Sequence, residues 1–197
     1  PIYICSSSLV FNNIIGIKIV NATNTISVFI ALFFKVFSGI IALFILLKLG
    51  WKKGTVVILS MVLAFAISDQ IANLVKDSVA RLRPCYNTYM LDNGLHILEK
   101  RGGLYGFYSS HAANAFGFAM CAIIGIRNDT SKKYMAFSSF AVLWAILVGV
   151  SRILAGKHYF GDVLVGTIAG IFIGPALALM ARAVIRKFIE KSGEAAS

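Results

Sequence analysis

Five stretches of this chain, at about residues 28–49, 55–75, 111–126, 134–154 and 163–185, consist almost wholly of Ala, Ile, Leu, Val, Phe and Gly. A hydrocarbon layer of about 30 Å takes roughly 20 apolar residues per helical crossing, and inside it every backbone polar group must be bonded within the structure. Runs of this length and character therefore predict membrane helices. The composition agrees: 58% hydrophobic residues, 14% charged and a mean hydropathy of +0.82 make lipid the solvent for much of the surface. An earlier apolar stretch, residues 9–20, is short for a crossing and contains Lys18. It reads equally as a sixth helix with a snorkelling end or as a helix lying in the interface. The expected fold is all-α, a polytopic transmembrane bundle of five to six helices in one domain spanning residues 1–197. Within it, residues 1–27 hold the N-terminal helix of either kind, and 76–110 form a non-cytoplasmic cap of loop and short helix.

A net charge of +11 would suit a nucleic-acid partner if the nineteen Lys and Arg formed a basic stripe. They gather instead at the ends of the apolar stretches, so no nucleic acid is expected, and the bilayer is the first partner. Lys48, Lys52 and Lys53 precede the second stretch, Arg127, Lys132 and Lys133 follow the third, and Arg182, Arg186, Lys187 and Lys191 close the chain. These clusters alternate onto one side, the cytoplasmic one by the positive-inside rule. The other side receives residues 76–110 and 151–161, whose Arg, Lys and His call for a functional explanation. The first of these connections, about 35 residues long, exceeds a plain turn and carries Tyr86, Tyr89, Tyr105, Phe107 and Tyr108, which suit the headgroup layer. Cys5, Cys85 and Cys121 have neither metal-ligand spacing nor the number of a disulfide framework. No cleavable signal or transit peptide is expected.

Three segments on that second side carry chemistry. In the run from Ser151-Arg152 to His158 and Asp162, a carboxylate four residues after a histidine fixes one ring nitrogen and leaves the other as base or nucleophile, while Arg152 offers a fork of donors that matches phosphate. At Tyr108-Ser109-Ser110-His111, a serine caps the following helix, whose free N–H groups then face an anion, and His111 stands at the mouth as a general acid. In Lys76-Asp77-Ser78-Val79-Ala80-Arg81-Leu82-Arg83-Pro84, Lys76 and Arg83 lie about two helical turns apart, and Pro84 restricts Arg83 to an extended backbone. Taken singly, each segment also reads as membrane-end cations or an ordinary cap.

Together and in this order, Lys76 with Arg83-Pro84, Ser109-Ser110-His111, and Ser151-Arg152 with His158 and Asp162 resemble the three-part signature of the type 2 phosphatidic acid phosphatase family of membrane lipid phosphatases. The second part departs from the family's Pro-Ser-Gly-His, with Tyr108 and Ser110 in place of Pro and Gly. The resemblance implies a six-helix bundle and a reaction with no metal or cofactor. In it His158 attacks phosphorus, Asp162 orients His158, and His111 protonates the leaving oxygen. Lys76, Arg83, Ser109, Ser110 and Arg152 hold the phosphate. It also implies a lipid phosphate partner and a bacterial inner membrane, with the site on the periplasmic or extracellular face. Undecaprenyl pyrophosphate is the favoured substrate, with lipid A or phosphatidylglycerol phosphate as the alternative. The oligomeric state is left open.

A reading of another class is a transport or lipid-binding bundle whose cations hold anionic lipid without chemistry. Other polar residues have plainer expectations: Asp69 a structural hydrogen bond to Gln70, Asn73 or backbone, Lys35 no assigned role, and His96 solvation. The glycines at 16, 39, 117, 125, 149, 166, 170 and 174 are expected to let helices pack closely.

Overall fold

Gly50 organises the first half of the fold. The computed structural model describes residues 22–95, 97, 101–127 and 134–190. Its helix α1 runs Ala22–Val79 with a single interruption, Gly50, at φ 73° and ψ 171°. A side chain resists that backbone and glycine does not. Beyond it the chain doubles back: a Cβ added at Gly54 would lie 3.1 Å from the Cα of Leu46, whereas eight residues along a straight helix span about 12 Å. α1 is therefore a helical hairpin whose first arm, residues 22–49, lies antiparallel to its second, residues 51–79.

A 3₁₀ turn (Pro84–Tyr86) and the short helix α2 (Thr88–Asp92) follow, then α3 (Ser110–Ile126), α4 (Met135–Leu154) and α5 (Phe160–Val184), which ends in a π-helical turn (Ile185–Glu190). The core lies between the hairpin and α3, α4 and α5. Phe37 stacks on Phe140 at 4.3 Å and on Trp144 at 5.5 Å between ring centroids. Ile41, Ile45, Val57 and Met61 bury against small residues such as Ala115, Ala119, Ala122 and Ala145. Helices in lipid gain by such close contact, having no water to escape.

The closest approach of backbone to backbone joins α3 to α5. A Cβ on Gly166, Gly170 or Gly174 would come within 2.5 Å of the carbonyl oxygens of Ser109 and Ala113 and 2.4 Å of that of Gly117 respectively. One face of α5 thus rests directly on the backbone of α3. Gly39, by contrast, has nothing within 4 Å of an added Cβ, so its expected packing role is not met.

The outer faces expose large apolar residues, among them Leu47, Leu63, Leu143 and Phe172. Lys35–Val79, Met135–Leu154 and Phe160–Ile189 are long and apolar enough to cross a membrane, the first containing much of the hairpin, and Ser110–Ile126 is a shorter apolar helix. The chain is a helical membrane protein with several crossings.

Three boundaries differ from expectation. Residues 22–27 belong to α1 rather than to a separate N-terminal helix, and the stretch 9–20 lies outside the described residues. The hairpin's second arm continues to Val79, so Lys76 sits in its last turn and the cap begins after it, at Ala80 with φ 50°. The apolar stretches expected at 28–49 and 55–75 meet through helical residues on both sides of Gly50, where the direction reverses.

Candidate active site

The two ends of the bundle differ. At the Gly50 end, Val57 meets Gly125 near the close of α3. At the other, the last turn of α1, the start of α3 and the α4–α5 turn converge on a cavity of about 950 Å³. Lys76, Arg83, Ser110, His111, Arg152 and His158 all line it, so six of the eight residues singled out from sequence share one wall system.

The α4–α5 turn is folded onto Arg152, whose carbonyl accepts the N–H of Lys157 at 3.1 Å and of His158 at 3.3 Å. Gly156, at φ 68°, makes that reversal possible. Arg152 is 7% exposed and its Nε donates to Ser151 Oγ at 3.1 Å. His158 is 4% exposed. Its Nδ1 stands 2.9 Å from the carbonyl oxygen of Gly106 and 3.6 Å from Asp162 Oδ2. A carbonyl only accepts, so Nδ1 carries the proton and Nε2 keeps its lone pair. Burial, then the charges of Arg83, His111 and Lys76, lower the His158 pKa from 6.5 to about 3, against the opposing Gly106 bond. The ring is neutral at physiological pH.

Asp162 therefore does less to His158 directly than its spacing suggests. It is fully buried at the third position of α5, where Oδ2 accepts the Tyr159 N–H at 2.9 Å in a capping box. Its other oxygen pairs with Arg81, whose guanidinium lies 4.7 Å from the Phe107 ring centroid and 5.3 Å from that of Tyr159. The immediate acceptor for His158 is delivered by the cap. Leu82 and Tyr105 form an antiparallel bridge, Arg83 N–H donates to Leu104 at 3.1 Å, and Gly106 N–H donates to the Arg81 carbonyl at 2.8 Å. The same clip sets Arg83, whose Nε donates to the Tyr105 carbonyl at 3.0 Å.

Ser109 caps α3 by accepting the Ala112 N–H at 3.4 Å, and its own N–H donates to the Asp162 carbonyl at 3.0 Å. Ser110 is the first residue of α3. Among the described residues Ala80 alone, apart from glycines, has a positive φ. The position therefore has no need of the glycine that the family pattern carries, and Ser110 Oγ gains a bond from Lys76 Nζ. Lys76 Nζ also donates to Asn73 Oδ1 at 3.1 Å, and Asn73 Nδ2 to Asp69 Oδ2 at 3.4 Å. That is the structural bond expected of Asp69. Asn114, with its amide turned so that nitrogen donates, ties the carbonyls of Phe65 and Ser110 together.

Sequence reasoning missed Gly106 and Arg81. Arg81 had a signal, a cation two residues before the singled-out Arg83; a backbone carbonyl has none. Among the described residues no group of three or more His, Cys, Asp or Glu side chains gathers as a metal site.

Comparison with known proteins adds ancestry to this geometry. A lipid A 4'-phosphatase of Bacteroides thetaiotaomicron is 37% identical over 135 residues, 67% of this chain and 57% of that protein. One of Porphyromonas gingivalis is 29% identical over 132 residues, 66% of this chain and 53% of the relative. An undecaprenyl-diphosphatase of Sulfolobus acidocaldarius is 28% identical over 127 residues, 64% and 56% of the two chains. The chain spans a little over half the length of these curated relatives. The crystal structure of a transmembrane PAP2 type phosphatidylglycerolphosphate phosphatase from Bacillus subtilis shares the fold, with a TM-score of 0.57 at 20% identity over 93% of this chain and 86% of that one. The sequence pattern of the PAP2 superfamily matches residues 54–186, from the hairpin's second arm through α5, and the chain is a member of that superfamily.

Proposed function

We propose that the chain is a lipid phosphatase working through a phosphohistidine, with a phosphomonoester on an acylated sugar headgroup, as in lipid A, as its substrate. The observation that carries this reading is the His158 ring: buried, neutral, proton held on Nδ1 by Gly106, and lining one cavity with Lys76, Arg83, Arg152 and His111. Nε2 attacks phosphorus, the bond from phosphorus to the headgroup oxygen breaks, and His111, kept protonated by the negative charge of the bound phosphate beside it, gives that oxygen a proton. Water then attacks the phosphohistidine, His111 takes its proton back, and inorganic phosphate leaves with His158 restored. Phosphoryl transfer spreads charge over three equatorial oxygens, so fixed cations and in-line alignment supply most of the catalysis. Lys76, Arg83 and Arg152 provide the charge, and Ser109 and Ser110 set the start of α3 beside it. Asp162, bonded to the Tyr159 N–H and paired with Arg81, steadies the turn that holds the nucleophile.

The choice of headgroup rests on the two lipid A 4'-phosphatases among the relatives, which favour this substrate over the undecaprenyl pyrophosphate preferred from sequence alone. The prenyl pyrophosphate is the second reading, supported by the undecaprenyl-diphosphatase of Sulfolobus acidocaldarius. The site faces the periplasm or exterior of a bacterial inner membrane, because Lys48, Lys52, Arg127, Arg182 and Arg186 flank the opposite ends of the apolar segments. Phosphate release by the purified protein from lipid A, phosphatidylglycerol phosphate, phosphatidic acid and undecaprenyl pyrophosphate, with EDTA present, tests the proposal. Release from lipid A should fall by at least about a thousandfold in His158→Ala. Release that persists in that variant would refute the nucleophile, and silence across the panel would favour a lipid-binding bundle.

A further inference from the structure

The cavity is far larger than one phosphate needs, and beyond the phosphate cluster its largely apolar wall still carries Lys35, Asp69 and Asn73. At about 950 Å³ it has the size of a site for a whole headgroup and the start of its chains. Phe65, Asp69, Asn73 and Lys76 line it at spacings of four, four and three, which is one face of a helix. Along that face Asp69 lies about 10 Å and Phe65 about 16 Å from Lys76 toward the Gly50 turn. Lys35 lines the same cavity from the hairpin's first arm. The antiparallel register that brings Leu46 beside Gly54 sets Lys35 at the level of Phe65.

A lysine within an apolar arm is expensive unless it snorkels or faces a polar cavity. Lys35 is fifteen residues from Gly50, about 22 Å, and so far from the headgroups at the turn end. Its side chain is exposed and borders the cavity. A polyprenyl chain has no polar atom at these depths, so it would leave Asp69 and Lys35 facing hydrocarbon, which is unfavourable. An acylated sugar phosphate presents hydroxyl, amide and ester groups there. The hydroxyls and amide N–H groups can donate to Asp69, and the carbonyls can accept from Lys35 and Asn73.

We propose that Lys35, Asp69 and Asn73 form a second subsite that reads the hydrogen-bonding linkage between a phosphorylated headgroup and its acyl chains. It rests on the lipid phosphatase reading above and makes these residues specificity determinants rather than catalytic ones. Lys35→Met and Asp69→Asn keep size while removing charge. Steady-state kinetics on lipid A and on a polyprenyl monophosphate, in the same detergent micelles, should give each variant a KM at least about tenfold higher for lipid A and unchanged within about twofold for the prenyl phosphate.

Equal losses on both substrates would overturn the subsite, since Asp69 would then act only by orienting Lys76 through Asn73. Unchanged kinetics on both would overturn it too. Failure of the wild-type protein to hydrolyse lipid A would sink the headgroup assignment instead. The subsite would then be judged by lipid A binding to His158→Ala with and without Lys35→Met, where equal affinities would refute it.

Discussion

Both ends of the bundle carry lysine and arginine, but in opposite states. At the Gly50 turn Lys48 and Lys52 are exposed, and Lys48 lies 5.7 Å from the Phe44 ring centroid. At the far end Arg152 and Lys157 are buried, Lys76 and Arg83 are half-buried, and Lys76, Arg83 and Arg152 line one cavity. Exposed cations are screened by water and salt, so the first group orients the chain and does little else. Cations drawn together away from water repel one another and are desolvated, a cost that an arriving phosphate offsets. Charge marks function here only where the fold makes it converge.

The sharpest break of that comparison comes from removing one cation at each end. Arg83→Ala or Lys76→Ala should lower kcat/KM on the accepted lipid phosphate by about 10²–10³, the usual loss of one oxyanion donor. Lys52→Ala should leave it within about twofold, and a comparable loss there would erase the distinction between the ends. A subtler contrast uses two glycines. Gly166→Ala presses on the Ser109 backbone and should destabilise by about 1–3 kcal/mol while also lowering activity, because the residue it displaces caps α3 at the site. Gly125→Ala meets only the Val57 side chain and should cost stability alone. Thermal unfolding beside kinetics separates the two.

A further contrast is one of pH. His158 titrates near 3 in the folded protein against an ordinary 6.5, so folding favours its neutral form. Its contribution to stability is complete above pH 6.5 and is lost as pH falls toward 3. Denaturation across that window should have a shallower acid slope in His158→Asn than in wild type.

Much of this was legible in the chain. Four of the predicted apolar stretches return as the hairpin's second arm, α3, α4 and α5, and the first lies within the hairpin's first arm, because twenty apolar residues have few alternatives in lipid. The convergence of His111, His158, Lys76, Arg83 and Arg152 also follows the motifs. The acceptor of the His158 proton did not, because it is the carbonyl of Gly106, and a backbone group carries no residue signature. The Asp162 spacing drew attention to a carboxylate that mainly caps its helix and pairs with Arg81. Lys35 looked idle because its meaning depends on the hairpin register, which a reversal at one glycine fixes.

The bond from His158 to Gly106 joins positions 52 residues apart, across the whole of α3 and α4. During biogenesis every helix can enter the bilayer, and every reactive side chain be present, while that ring is still unoriented. The proposed nucleophile acquires its fixed tautomer only when the segment before α3 closes over the turn after α4. Completion of the tertiary structure is thus also the arming step, and a half-assembled chain lacks the oriented ring that the finished one holds.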